Sequence, residues 1–157
     1  MKSECGESTF VEHLLAEHRR LDHMVCSTLS AFPSWEEADS TSWPPRVIAG
    51  LSAIRAELAQ HFAEEEAGGC LEEAVARCPA LSTDVHRAQA EHQQLLEVLD
   101  ELVHDCRKLE KPMRREVLVL EQELRALVHK LRLHEGEETR IMQRAFAVCL
   151  ENADGSE

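Results

Sequence analysis

Four apolar stripes, each stepping three or four residues at a time and each parted from the next by a helix breaker, leave this chain few ways to fold. The first stripe is Val11, Leu14, His18, Leu21, Val25, Leu29 and Phe32. Thr9-Phe10-Val11-Glu12 reads as a capping box at its start, and Pro33 stops it. Residues 33–43 read as a loop. Pro44 and Pro45 suit a helix start, and the second stripe follows as Val47, Leu51, Ile54, Leu58, His61 and Glu65. Gly68-Gly69 interrupts it, and residues 70–77 are expected to make a further turn or two before Pro79. Ser82 or Thr83 can cap the third helix, whose stripe is Val85, Ala88, His92, Leu95, Leu99, Leu102, Cys106 and Leu109. After Lys111-Pro112 comes the fourth: Val117, Leu120, Leu124, Leu127, Leu131, His134, Glu138, Ile141, Ala145 and Val148.

Each stripe must be buried against another, and short connections make successive helices antiparallel. The expected fold is all-α, an up-down-up-down antiparallel four-helix bundle. A two-helix coiled-coil dimer would also bury such stripes, but the breakers at 33, 68–69 and 112 favour folding back. The 157 residues read as one domain, with a core over about 9–150 and a polar, frayed tail at 151–157.

Charge narrows the partners. Lys and Arg number 17 against 30 Asp and Glu, a net charge of −13. Such a surface repels phosphates, which argues against nucleic acid and anionic membranes and suits a protein that holds cations. The longest apolar runs, such as Val117-Leu118-Val119-Leu120, fall far short of the ~20 residues needed to cross a bilayer. Met1-Lys2-Ser3-Glu4-Cys5-Gly6-Glu7 is acidic and lacks the apolar segment of a secretory signal, so a cytoplasmic protein is expected. Cysteines at 5, 26, 70, 78, 106 and 149 form no CxxC pair and are expected as free thiols, buried small hydrophobes or idle surface groups.

The chemistry lies in the polar residues that interrupt the stripes. Of nine histidines, His18, His61, His92 and His134 lie on a stripe, one per helix. One such histidine alone would more often be a satisfied core residue. In an antiparallel bundle all four fall toward the same end: His18 and His92 each lie about 14 Å along their helices, and His61 and His134 lie toward the C-terminal ends of theirs. His61-x-x-x-Glu65 and His134-x-x-x-Glu138 each add a carboxylate one turn on, on the same face. An unpaired carboxylate in a core costs several kcal/mol or is neutralised. A buried cation offsets that cost.

Four imidazoles and two carboxylates exceed what one metal needs. Two metals sharing both carboxylates as bridges fit better, and carboxylate bridging tips the choice among iron, zinc and copper to iron. Glu64 neighbours the stripe and could add a terminal bond, but as part of the Glu64-Glu65-Glu66 run it reads rather as a solvated residue. Asp22, one turn after His18, reads as a residue behind the ligands or on the surface.

In these residues the chain resembles the hemerythrin-like HHE cation-binding family. His18 in AEHRRL, His61 and Glu65 in HFAEEE, His92 in AEHQQL, and His134 and Glu138 in HEGEE carry the resemblance, which spans about residues 10–149. It implies a non-haem di-iron centre of two oxo- or hydroxo-bridged iron ions inside a four-helix bundle. Members are implicated in oxygen binding, in sensing of oxygen, nitric oxide or iron, in peroxide chemistry and in iron–sulfur cluster repair. Two departures stand out. Oxygen-carrying members place a second histidine one turn from the third-helix ligand, where this chain has Ala88 and Leu96. They also step five residues from the last histidine to an aspartate, where this chain steps four to Glu138. The cysteine-bearing N-terminal domain usual in the repair proteins is missing from this sequence.

The leading expectation is therefore a di-iron protein, monomer or homodimer, that binds a small diatomic or peroxide ligand. A di-iron enzyme or an iron donor is the alternative, and a purely structural metal clip the plainest. The stripes also sort the histidines experimentally. Changing His13, His23, His86, His104 or His129 to Gln should leave the metal content and colour of the purified protein unchanged. Metal analysis of the five variants checks this.

Overall fold

The computed structural model describes the backbone of residues 4–34, 36–37 and 40–153, and the side chains of 9–34, 36–37 and 40–147. The helices are α1 Glu4–Ser30, α2 Trp43–Glu66, α3 Cys70–Arg77, α4 Ser82–Lys108 and α5 Arg114–Ala153, with a 3-10 turn at Pro79–Leu81. The four long helices form the up-down-up-down bundle, in which α1 packs on α2, α2 on α4, α4 on α5, and α5 back on α1. The chain buries its own stripes, so the coiled-coil dimer falls away.

Three boundaries differ from the sequence expectation. Helix α1 begins at Glu4, which puts Thr9 inside the helix instead of at its cap. Helix α4 takes Leu81 as its N-cap without a side-chain cap, because the preceding 3-10 turn already aligns the backbone. Helix α5 continues to Ala153, so residues 151–153 are helical. The side chains of Cys5, Val148 and Cys149 and the tail at 154–157 lie outside the described residues. Cys70 and Cys106 are buried, Cys78 is half-buried and Cys26 exposed, and all four are free thiols.

The core is two apolar clusters. The larger fills most of the bundle and includes Leu21, Leu58, Phe62, Leu95 and Leu131. The smaller closes one end and includes Leu14, Cys70, Leu71, Ala88 and Ile141. Each on-stripe histidine or glutamate falls in sequence between members of the two clusters. His18 lies between Leu14 and Leu21, His92 between Ala88 and Leu95, and His134 with Glu138 between Leu131 and Ile141. At the opposite end, Phe32 stacks on the buried Trp43 with ring centroids 5.8 Å apart.

Exposed ion pairs join every neighbouring pair of long helices: Arg20–Glu57, Arg55–Asp100, Arg144–Asp84 and Arg132–Asp22. Pairs of this kind contribute about 0–1 kcal/mol each, so they fix alignment more than they stabilise.

The glycine pair after α2 decides how the end cluster closes. Gly68 takes φ +82°, a left-handed conformation that terminates the helix at little cost. At Gly69 a Cβ would lie 2.2 Å from the Glu64 carbonyl oxygen and 2.7 Å from Glu65 Cα. Only glycine lets the chain turn back this closely and set Cys70 behind Glu65. Gly69→Ala should therefore destabilise the protein by roughly 1–3 kcal/mol, the usual range for overpacking. A lowered midpoint in denaturant unfolding checks it.

Candidate metal centre

All six residues expected from the sequence meet in the layer between the two clusters. None is more than 8% exposed, and Glu138 is fully buried. His18, His61, Glu65 and Glu138 each bring a ligand atom within 4.8 Å of the others, and so do His92, His134 and Glu138. Glu138 belongs to both groups.

The carboxylates span the layer. Glu65 Oε1 lies 3.3 Å from His61 Nε2, and its Oε2 lies 3.5 Å from His92 Nε2. Glu138 Oε2 lies 3.3 Å from His18 Nε2, while its Oε1 lies 2.7 Å from His134 Nε2 and 3.4 Å from His92 Nε2. Each carboxylate thus reaches the His18–His61 side with one oxygen and the His92–His134 side with the other. The Nε2 atoms of His18, His61 and His134, and Oε2 of Glu65 and Glu138, complete no well-aligned hydrogen bond although they are buried. Buried polar atoms are normally satisfied, and convergent lone pairs without donors are what a cation would fill. The donor set suits a transition metal.

The backs of three of the four imidazoles are held by carboxylates that the sequence did not single out. His61 Nδ1 donates to Glu17 Oε2 at 2.9 Å, His92 Nδ1 to Glu66 Oε1 at 2.7 Å, and His134 Nδ1 to Glu91 Oε2 at 2.9 Å. A proton fixed on Nδ1 leaves the Nε2 lone pair facing the centre, the arrangement that orients histidine ligands in metalloproteins. The available signal was the repeated triplet, Ala16-Glu17-His18 and Ala90-Glu91-His92. In each triplet the glutamate serves the histidine of the next helix. Phe62 was also missed: its ring stacks on His92 at 3.9 Å and meets His134 edge-on at 5.5 Å. Cys70 Sγ sits 3.6 Å from Glu65 Oε1.

Other candidates fall outside the layer. Glu64 is exposed and accepts from Gln60 at 3.0 Å. Asp22 is a surface residue paired with Arg132 Nη2 at 2.7 Å. His13, His23, His86, His104 and His129 are exposed. Ala88 is buried in the end cluster and Leu96 packs against the larger one, so neither position offers a ligand.

A family model for the hemerythrin HHE cation-binding domain matches residues 9–146. The chain belongs to this family. No curated protein and no solved structure gave a match. The family binds cations, and the His/Glu groups of this hemerythrin-type bundle are placed to hold a metal. No helix among the described residues is long and apolar enough to cross a membrane.

Without metal, the two carboxylates cannot both stay charged. Burial, aided by the Glu138 charge, pushes Glu65 up to about 10. Burial acts on Glu138 too, but contacts with His134, His18 and His92 hold it well below the ordinary carboxylate range. Burial lowers His61, whereas for His134 the contacts with Glu138 and Glu91 outweigh burial and raise it. Folded Glu65 therefore keeps a proton that the unfolded chain loses near 4.5. Stability contributed by that proton is full below the unfolded value and is lost as pH rises toward about 10. Metal-free protein should lose stability between pH 5.5 and 8.5 more steeply than metal-free Glu65→Gln. Thermal melts of both across that range check it, and equal slopes would refute the proton retained by Glu65.

Proposed function

We propose that the chain acts as a single hemerythrin-like domain whose buried layer holds two iron ions. His18, His61, Glu65, His92, His134 and Glu138 are the ligands in this reading, with both glutamates bridging. The observation that carries it is the span of each carboxylate, one oxygen toward His18 and His61 and the other toward His92 and His134. Iron held there supplies a redox-active Lewis acid for a small ligand such as oxygen, nitric oxide or peroxide. The chain's own part is to orient the imidazoles through Glu17, Glu66 and Glu91 and to wall the layer from water with the two apolar clusters. Ala88 and Leu96 supply no further histidine, which favours a coordination position left open for that ligand. The free thiols Cys26, Cys70, Cys78 and Cys106 suit a reducing compartment, in keeping with a cytoplasmic protein.

A second reading is a di-iron enzyme or iron donor, acting on peroxide, oxygen or nitric oxide or in iron–sulfur cluster repair. A cavity of about 210 Å³ whose wall includes Glu65 and the Cys70 thiol favours it, because it offers a reactant a way to the layer.

Elemental analysis of protein purified without air should find about two iron ions per chain, as in related carboxylate-bridged bundles. Glu65→Ala removes a bridge that serves both ions, so its iron content should collapse. Full iron in Glu65→Ala would overturn the bridging role.

A further inference from the structure

Outside the buried layer, one other cluster gathers metal-binding atoms. His13, Glu17 and Glu64 each offer a ligand atom within 4.8 Å of the others. His13 Nε2 lies 3.3 Å from Glu17 Oε1, and the other oxygen of Glu17 accepts the bond from His61 Nδ1. The same carboxylate therefore faces outward to His13 and inward to a residue of the buried layer. These three residues line two cavities. One, of about 400 Å³, reaches His61. The other, of about 210 Å³, reaches Glu65, which is 3% exposed and whose Oε2 has no hydrogen-bond partner. A buried glutamate thus lines a cavity whose mouth carries one imidazole and two carboxylates.

We propose that His13, Glu17 and Glu64 form an outer site for a divalent transition-metal ion, through which the buried centre is loaded. The inference rests on the di-metal reading for the destination of the ion, but the outer site itself does not. One imidazole nitrogen and two carboxylate oxygens suit Fe²⁺, Mn²⁺, Co²⁺ or Zn²⁺. The cations nearby do not occupy it. Arg20 lines the larger cavity but is paired with Glu57 at 3.2 Å. Gln60 donates to Glu64 Oε1 and is a neutral amide that an incoming ion can replace. His13 and Glu64 are solvent-exposed, and Glu17 is partly so, which suits fast exchange with solution. An exposed acidic group over a low-dielectric cavity also raises the local cation concentration.

The test is Co²⁺ titration and stopped-flow uptake by the metal-free full-length chain, with the H13Q/E64Q variant beside the wild type. Both substitutions are on exposed helix positions, and circular dichroism checks that the variant folds. Wild type should take up a tightly held pair and a weaker third ion, one too loosely held to survive purification. H13Q/E64Q should lose the third ion, keep the pair, and fill it about tenfold more slowly, the lower end of what electrostatic focusing gives. No third ion in the wild type, or a third ion unchanged in the variant, would overturn the outer site. Loss of the third ion with uptake at the wild-type rate would overturn the loading role. Glu65→Ala separates this from the fate of the di-metal reading. That protein should lose the tight pair yet retain the weak ion, whereas a wild type without any tight pair would sink the buried centre on its own count.

Discussion

Two carboxylates and four imidazoles enclosed together in one layer of a helix bundle dominate everything else in this molecule. Such a set is unfavourable to bury unless a positive charge joins it. The apolar residues one turn to either side are what make the burial unavoidable. Leu14 and Leu21 flank His18, Ala88 and Leu95 flank His92, and Leu131 and Ile141 flank the His134–Glu138 pair. Those neighbours belong to two separate clusters, and the polar layer lies between them. Sliding one helix by a turn would both spoil the packing of the clusters and pull a ligand from the layer. Register and metal affinity are thus set by the same contacts.

The fold and the six inner positions were legible because both depend on one periodicity. A residue on the 3/4 stripe faces the core, and a histidine or glutamate there is conspicuous against leucines. The carboxylates behind the imidazoles were not legible in that way. Glu17, Glu66 and Glu91 stand on the margins of the stripes, among many solvated acidic residues, and nothing in one helix says which histidine on the next it will meet. Only packing pairs Glu17 with His61, Glu66 with His92 and Glu91 with His134. The helix starts failed for a different reason. A capping box at Thr9 has the right residue types, but helix α1 is already formed from Glu4, and local cap chemistry cannot stop a helix whose preceding residues also favour it.

The run Glu64-Glu65-Glu66 shows how far helix geometry alone can divide the work. Successive residues point about 100° apart around the axis at 3.6 residues per turn. Glu65 faces the core and is sealed in it. Glu66, on one flank, reaches His92 Nδ1, and Glu64, on the other, faces His13 and Glu17. Three identical side chains in sequence thereby acquire three surroundings. Had the helix been rotated by one residue, the buried carboxylate of Glu65 would lie in water and the imidazole of His92 would lose its orienting partner.

Glu17 ties these inner and outer surroundings together. Its Oε2 holds the Nδ1 proton of His61, while its Oε1 lies beside His13 at the cavity mouth. A carboxylate shared in this way cannot change its charge state or its partner on one side without effect on the other. A cation near His13 would draw negative charge away from the His61 hydrogen bond, and so weaken the donation that makes His61 Nε2 a good ligand. Without that cation Glu17 would keep its full charge for His61, so one side chain with two oxygens couples the state of the outer cluster to the ligand strength of an inner imidazole.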